Sequence, residues 1–307
     1  MKTDCNSMKN ISWLKHMYTN QSTELEILKS KYEQLQKEWD SQQEYLGRLQ
    51  GEVYKLRNQL QTQSSFCAAL GSVLGNLVWK ASRLQPVVEL LLTTNKLSEF
   101  FCIVSGTLIS FMGTYTREMP EVKCNETQFI LSMCGIVANI AAVPEGRQYI
   151  VTDANGKETI EQMLKVLPNI PHKSGSPLKR IILMVLYNIS INQTGLNLIQ
   201  EDKNLLTTLA HIVASEECPE LKVLALRLLE SLTFEIPNTI ALLKILQQIQ
   251  KDKIEALQNA GDAEIRQYAN NIMANFRKAE EALGFIIDKK DDTDQFKHDV
   301  TNDKCRK

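Results

Sequence analysis

The apolar residues of this 307-residue chain recur mostly three or four positions apart, which is the period of an α-helix. Leu and Ile are abundant, whereas Gly and Pro, which interrupt helices, are scarce. The pattern therefore predicts an all-α protein. It also changes character near residue 64, where strict heptads give way to blocks with broader apolar faces separated by short polar turns.

The first segment carries an apolar seam in which steps of three and four residues alternate, as in a coiled coil. Gln42 interrupts this seam, and its register reaches back toward the N-terminus through Tyr18, Leu14 and Ile11. We predict that residues 1–63 form a coiled-coil oligomerisation helix that pairs with its own copy or with another protein's helix. The alternative is a helix that folds back onto the rest of the chain. The predicted core residues are Leu25, Leu28, Tyr32, Leu35, Trp39, Leu46, Leu49, Val53, Leu56 and Leu60.

The remaining blocks repeat one another. "GIVANIAAVPEGRQYI" and "MVLYNISINQTGLNLI" both place Asn-Ile-small before a Gly seven residues after the Asn and an Ile four residues later. Related blocks centre on Asn76 and on Ser231, and a last block reads "DAEIRQYANNIMANF". A helical repeat of this kind predicts an armadillo-type α-solenoid over residues 64–285. The charged, apolar-poor residues 286–307 are predicted to be a disordered tail.

The Asn at the same place in two blocks is the first candidate functional group. The last helix of an armadillo unit lines the inside of the superhelix, and an Asn there can pair with both the N–H and the C=O of an extended peptide. We predict a peptide-binding surface formed by Asn139 and Asn188 together with the nearby Arg147 and Asn192. The alternatives are a helix cap or buried amide for the two repeated Asn residues, and an ordinary surface cation for Arg147.

Charge and composition argue against several other classes of protein. The net charge of -1 lacks the basic excess that direct nucleic-acid binding needs. The longest apolar run, "FFCIVSGTLISFMG", is too short to span a bilayer, so we expect no membrane segment. Seven Cys and four His are scattered without metal-ligand or catalytic spacing, so we expect no enzyme activity, no cofactor and no metal.

Three segments make the predicted function more specific. "CAALGSVLGNLVWKAS", "ETQFILSMCGIVANIAAVPEGRQYIV" and "LKRIILMVLYNISINQTGLNLIQE" closely resemble the armadillo domain of the heat shock factor 2-binding protein family, between about Phe66 and Glu201. The resemblance implies an adaptor of meiotic homologous recombination. Such an adaptor binds a disordered segment of the breast cancer type 2 susceptibility protein and helps to load recombinases at double-strand breaks.

The same resemblance implies that the N-terminal helices oligomerise and bind a second partner, the break repair meiotic recombinase recruitment factor. It implies a nuclear location on meiotic chromosomes, with a further cytoplasmic pool, and it places Asn139, Arg147, Asn188 and Asn192 in the groove. Two other classes of function stay open: an armadillo-type co-chaperone that promotes nucleotide exchange, and a cytoskeletal or transport scaffold built on the coiled coil.

Overall fold

A computed structural model describes residues 2–236 and 239–282, and every regular element within these ranges is helical. The prediction of an all-α protein is therefore confirmed. The predicted tail at 286–307 lies outside the described residues, as do residues 283–285 of the predicted repeat region. The helices are α1 Lys2–Ala81, α2 Gln85–Leu92, α3 Leu97–Thr114, α4 Asn125–Ala142, α5 Pro144–Thr152, α6 Ala154–Val166, α7 Ser176–Ser190, α8 Gln193–Gln200, α9 Leu205–Ser215, α10 Pro219–Thr233, α11 Thr239–Gln248, α12 Lys251–Leu257 and α13 Ala263–Ala282, with a 3-10 turn at Leu167–Asn169.

The chain divides into two compact units, Met1–Cys67 and Ala68–Lys307. Helix α1 runs through the boundary predicted after residue 63 without interruption and ends at Ala81. In the first unit, all ten predicted core residues of the coiled coil are exposed, from 37% at Leu49 to 68% at Leu28 and Leu60. An apolar stripe this exposed requires a partner, and the coiled coil stays a prediction.

The second unit stacks sets of three helices: α2–α4, α5–α7, α8–α10 and α11–α13. The last helices of successive sets pack side by side, α4 on α7, α7 on α10 and α10 on α13, while α3 packs on α6. Such stacking buries one continuous apolar core that no single set could bury alone. The arrangement is that of an armadillo-type solenoid, which confirms the predicted fold class.

The repeated Gly of the sequence motif lies where one set of helices ends and the next begins. A Cβ on Gly146 would lie 2.0 Å from the backbone oxygen of Ile140, and a Cβ on Gly195 would lie 2.3 Å from that of Ile189. Both Ile residues are fully buried. Only glycine lets the next helix approach the last turn of the preceding helix so closely. The repeated spacing of seven residues from Asn to Gly therefore marks the junction between two repeats.

Helix α3 is long and apolar enough, by length and composition, to cross a membrane, and α4 with α5 would qualify only as a pair bent by 113°. Within the fold, 39% of α3 is buried. Phe101, Val104 and Leu108 have no exposed surface, and the Thr159 hydroxyl of α6 donates to the Phe101 carbonyl at 3.0 Å. Its apolar character is therefore used in packing against α6 as the middle helix of a repeat.

Candidate peptide-binding groove

The amide of Asn139 is committed to the C-terminal end of α1. Its Nδ2 donates to the Trp79 carbonyl at 3.0 Å and to the Ser82 hydroxyl at 2.8 Å. An Asn amide nitrogen has two hydrogens, so both are used within the chain. The carbonyl oxygen Oδ1 accepts no hydrogen bond from the residues that the structure describes, so Asn139 has an acceptor, but no donor, available to a peptide.

Asn188 is held more loosely. Its Nδ2 donates to the Ala138 carbonyl at 3.4 Å, a long bond, and Asn275 of α13 makes the corresponding bond to the Glu230 carbonyl at 3.5 Å. Each of these amides thus joins its helix to the last helix of the preceding repeat. Asn188 keeps a second N–H and its Oδ1 for other partners, and it is half-buried.

The other two predicted residues bond to the ends of neighbouring helices. Arg147 Nη1 donates to the carbonyls of Ala141 and Ala142, at 3.1 and 2.9 Å, and so caps the end of α4. Asn192 is the N-cap of α8: its Oδ1 accepts from the Gly195 N–H at 3.1 Å, and its Nδ2 donates to Gln148 at 3.0 Å. These bonds gather Arg147, Asn188 and Asn192 around the junction of α4, α5, α7 and α8, while peptide binding by them stays a prediction.

Two adjoining cavities open along the last helices of the repeats, and we call them together the central groove. The first has a volume of about 270 Å³ and the second about 360 Å³. Tyr187 and Arg227 line both cavities, and Asn188 lines the first. The first is completed by Arg180, Met184, Glu220 and Leu224, and the second by Ser190, Ile191, Gln193, Leu196, Glu230, Ser231, Phe234 and Glu235.

Arg227 lies between the two cavities and between two aromatic rings. Its Cζ is 4.5 Å from the centroid of the Tyr187 ring and 5.9 Å from that of Tyr268, within the range of cation–π attraction. Burial raises the pKa of Tyr268, and the charge of Arg227 acts in the opposite direction.

The guanidinium of Arg227 has an unsatisfied donor. Among the described residues Arg227 makes no ion pair, and its buried Nε has no hydrogen-bond acceptor. Two acidic residues that line the groove have other partners: Glu220 pairs with Arg180 at 2.7 Å, and Glu230 accepts from Asn271 at 2.7 Å. The terminal Nη1 and Nη2 groups also make no hydrogen bond or ion pair among the described residues, so they, rather than the buried Nε, can donate to a carbonyl or carboxylate oxygen of a peptide.

The spacing of the repeated blocks also indicates Arg227 as a groove residue. Arg227 stands four residues before Ser231, as Met184 stands four residues before Asn188. Residues at this spacing share one face of a helix, so alignment of the blocks places Arg227 on the face that carries the repeated Asn. The contribution of Tyr187 and Tyr268 was not detectable in this way, because it depends on packing between three helices.

An armadillo-type solenoid with a groove of this chemistry defines a protein-interaction adaptor. Residues 68–194 match the family model described as the heat shock factor 2-binding protein ARM-like domain. The chain is 28% identical over 233 residues to heat shock factor 2-binding protein of Mus musculus, an alignment that covers 75% of this chain and 67% of that protein. These two matches bear out the resemblance seen in the sequence and support a divergent homologue of heat shock factor 2-binding protein.

Two solved structures are also similar to the chain. A designed armadillo repeat protein aligns over 70% of this chain and 94% of its own, with 15% identity and a TM-score of 0.41. An engineered protein aligns over 71% of this chain and 93% of its own, with 11% identity and a TM-score of 0.43. The fold assignment rests on the packing of the helices and on the family match.

Proposed function

We propose that this chain is a non-enzymatic adaptor of meiotic homologous recombination. It binds a disordered segment of the breast cancer type 2 susceptibility protein in the central groove, oligomerises through its N-terminal helix, and so helps recombinase loading at double-strand breaks. The homology to heat shock factor 2-binding protein and the resemblance of the residues from Phe66 to Glu201 support this proposal. The observation that carries the groove assignment is Arg227, which lines both cavities and makes no ion pair among the described residues.

The groove supplies complementary groups for an extended peptide. Asn188 offers an N–H and an acceptor oxygen, Arg227 offers guanidinium donors, and the larger cavity offers the apolar surfaces of Ile191, Leu196 and Phe234. Each hydrogen bond contributes about 0.5–1.5 kcal/mol net, whereas ordering a disordered segment costs about 2–5 kcal/mol. One groove alone therefore binds modestly, and oligomerisation raises avidity by about 10²- to 10⁴-fold toward a partner that carries repeated motifs.

The direct test is calorimetric titration of the full chain with peptides that tile the breast cancer type 2 susceptibility protein of the same organism. Asn188→Ala and Arg227→Met each remove a groove contact, and we expect each to weaken binding about tenfold or more. Lys165→Met is the matched control for Arg227→Met, because it removes an exposed positive charge from α6 and Lys165 lines neither cavity of the groove. Binding unaffected by both groove variants, or equally weakened by the control, would place the partner elsewhere.

The second partner and the location are separate parts of the proposal. The break repair meiotic recombinase recruitment factor is expected to bind residues 1–63, and substitution of Leu35 and Leu56 by Glu should abolish that binding while peptide binding in the groove persists. Immunofluorescence of meiotic cells is expected to show the protein on chromosomes. A purely cytoplasmic signal would instead favour a cytoskeletal or transport scaffold.

A further inference from the structure

The heptad register of the N-terminal helix continues into the armadillo unit. From Leu60 the same alternation of three and four residues passes through Gln63 and Cys67 to Leu70, Leu74 and Leu77. These last three side chains are 49%, 53% and 60% exposed. The seam that the sequence places in the first unit therefore does not stop where the repeats begin.

The opposite side of this part of α1 is buried in the solenoid. Ala68 and Ser72 are 8% and 6% exposed. Gly71 and Gly75 lie against α4, where an added Cβ would come within 2.8 Å of Phe129 and 3.0 Å of Ser132. Residues 68–81 thus have two apolar faces. One face packs against α4, and the other, which we call the heptad face, is exposed.

An exposed apolar face is unusual at the end of a solenoid. Terminal repeats generally need a polar outer surface to stay soluble. Here the heptad face is flanked by further apolar residues, Val73 at 61% exposure and Val78 at 40%. A continuous apolar stripe with heptad spacing is the surface that a parallel helix with the same spacing covers.

The polar residues of the seam identify the partner as a second copy. Gln21, Gln42 and Gln63 recur every 21 residues at one heptad position, the one otherwise occupied by Leu. When two copies lie parallel and in register, each Gln meets its own counterpart. A shift of one heptad instead places every Gln opposite a Leu, which is unfavourable because the amide loses its partners.

The charges beside the seam agree with this register. In a parallel pair, the residue directly before the first of the two seam positions in each heptad lies near the residue five positions later on the partner helix. Glu24 then faces Lys29, and Glu52 faces Arg57, while no such pair along residues 24–78 combines like charges. The register is thus favoured by amides, charges and apolar residues together.

We propose that a second copy of this chain packs parallel and in register along α1, and that the interface extends past Cys67 to Leu77 on the first helix of the armadillo unit. The inference rests on the oligomerisation in the proposed function and extends it into the solenoid. It makes the first repeat an interface element as well as a structural cap.

Cys67 supplies a native reporter, because it occupies a seam position and is exposed. In a parallel in-register pair the two Cys67 residues face each other at a separation compatible with a disulfide. Diamide treatment of the full chain, in which diamide takes up the two electrons and two protons, should therefore join the two Cys67 thiols. Peptide mass spectrometry on a mixture of ¹⁴N- and ¹⁵N-labelled protein should show the mixed-isotope Cys67–Cys67 peptide, and the dimer band should disappear in Cys67→Ser but persist in Cys102→Ser.

Leu74→Glu tests the part of the interface that lies in the armadillo unit. Its side chain is exposed, so folding should not depend on it, and we expect the dissociation constant of self-association, measured by sedimentation, to rise about tenfold or more. Leu90→Glu, at 66% exposure on α2 and off the seam, is the matched control and should leave self-association unchanged.

The outcomes separate the two proposals. An oligomer without the Cys67 cross-link, or one indifferent to Leu74→Glu, overturns the extended interface and leaves oligomerisation through the N-terminal helix standing. A monomeric chain overturns both the inference and that part of the proposed function. Binding of the partner peptide in the groove is measured independently of either result.

Discussion

A buried ion pair joins two successive repeats, and removal of one of its two members is predicted to be strongly destabilising. Lys179, near the start of α7, and Glu216, just after α9, place Nζ and Oε2 2.8 Å apart with side chains only 3% and 7% exposed. His172 Nδ1 lies 3.6 Å from the same carboxylate oxygen but is 57% exposed, so it is a secondary contact. Removal of Glu216 leaves the Lys179 charge buried without its partner, and removal of Lys179 leaves the Glu216 carboxylate buried with only the exposed His172 nearby.

The perturbations are Glu216→Leu, Lys179→Met and the two combined. Breaking a buried pair by removing one partner costs about 3–5 kcal/mol, because the desolvated charge has nothing to replace the lost attraction. For a unit of this size each kcal/mol shifts the melting temperature by about 2–4 °C, so Glu216→Leu should melt about 6–20 °C lower. The double variant should be between neutral and about 1–4 kcal/mol more stable than the parent chain, since apolar residues of similar volume need no desolvation.

The assay is urea unfolding of the four proteins, followed by far-UV circular dichroism. The free energies of unfolding are compared with one common slope of free energy against urea concentration. The double-mutant cycle isolates the coupling between the two side chains. If Glu216→Leu alone changes the free energy of unfolding by less than about 0.5 kcal/mol, a range typical of surface substitutions, the pair is hydrated and the argument from burial is wrong.

Three further predictions concern the junctions and the core. Gly146→Ala should lower the free energy of unfolding by about 1–3 kcal/mol, because the added Cβ has no room. Gly106→Ala should raise it by about 0.5–1 kcal/mol, because no atom lies within 4 Å of the added Cβ and Ala favours the helix. The midpoints of urea unfolding measure both changes. Asn139→Ala should cost about 1–3 kcal/mol and Asn188→Ala no more than about 1 kcal/mol, since the second amide makes one long bond; thermal melts compare them. Burial raises the pKa of the Cys134 thiol from 9.0 to about 12, so the folded state favours the protonated thiol. Between pH 9 and about 12, the free energy of unfolding of the parent chain should therefore fall by about 1.4 kcal/mol per pH unit more than that of Cys134→Ala. Alkaline unfolding of the two proteins measures this difference.

Each of these predictions has a clear contrary result. Equal effects of the two Gly substitutions would mean that helix propensity, rather than close approach, governs both positions. Equal costs at the two Asn positions would mean that the bonds of Asn139 contribute no more than the single bond of Asn188. Parallel alkaline unfolding curves would mean that the Cys134 thiol ionises in the folded state as readily as in the unfolded chain.

The fold could be predicted because its determinants are local and periodic. Heptads, broad apolar faces and the Gly seven residues after each Asn are all visible in the sequence, and the structure places that Gly at the junction of two repeats. The end of the first helix was less predictable. Residues 68–81 satisfy two patterns at once, so the change of period at residue 64 marks the start of a second packing face on a helix that continues.

The groove was only partly predictable, because hydrogen-bond partners depend on side-chain geometry. The sequence indicated that Asn139 and Asn188 share a face, but it could not show that both donors of Asn139 bond to the end of α1. It could not place Arg227 between Tyr187 and Tyr268 either, since these residues come from three helices whose repeats differ in length. Arg147 and Asn192 are similarly committed to helix ends, so Asn188 and Arg227 have the stronger case for contact with a peptide.

The position of Ser231 explains why the larger cavity opens where it does. Asn188 bonds to the carbonyl of the residue before Asn139, and Asn275 bonds to the carbonyl of the residue before Ser231. The corresponding bond between α10 and α7 is missing because Ser231 has no amide, and its short side chain lines the cavity of about 360 Å³. Ser231→Asn should supply that bond toward the carbonyl of Tyr187, raise stability by about 0.5–1.5 kcal/mol and partly fill the cavity. Calorimetry should then show weaker peptide binding by a more stable protein, whereas unchanged binding would mean that the peptide does not enter the larger cavity.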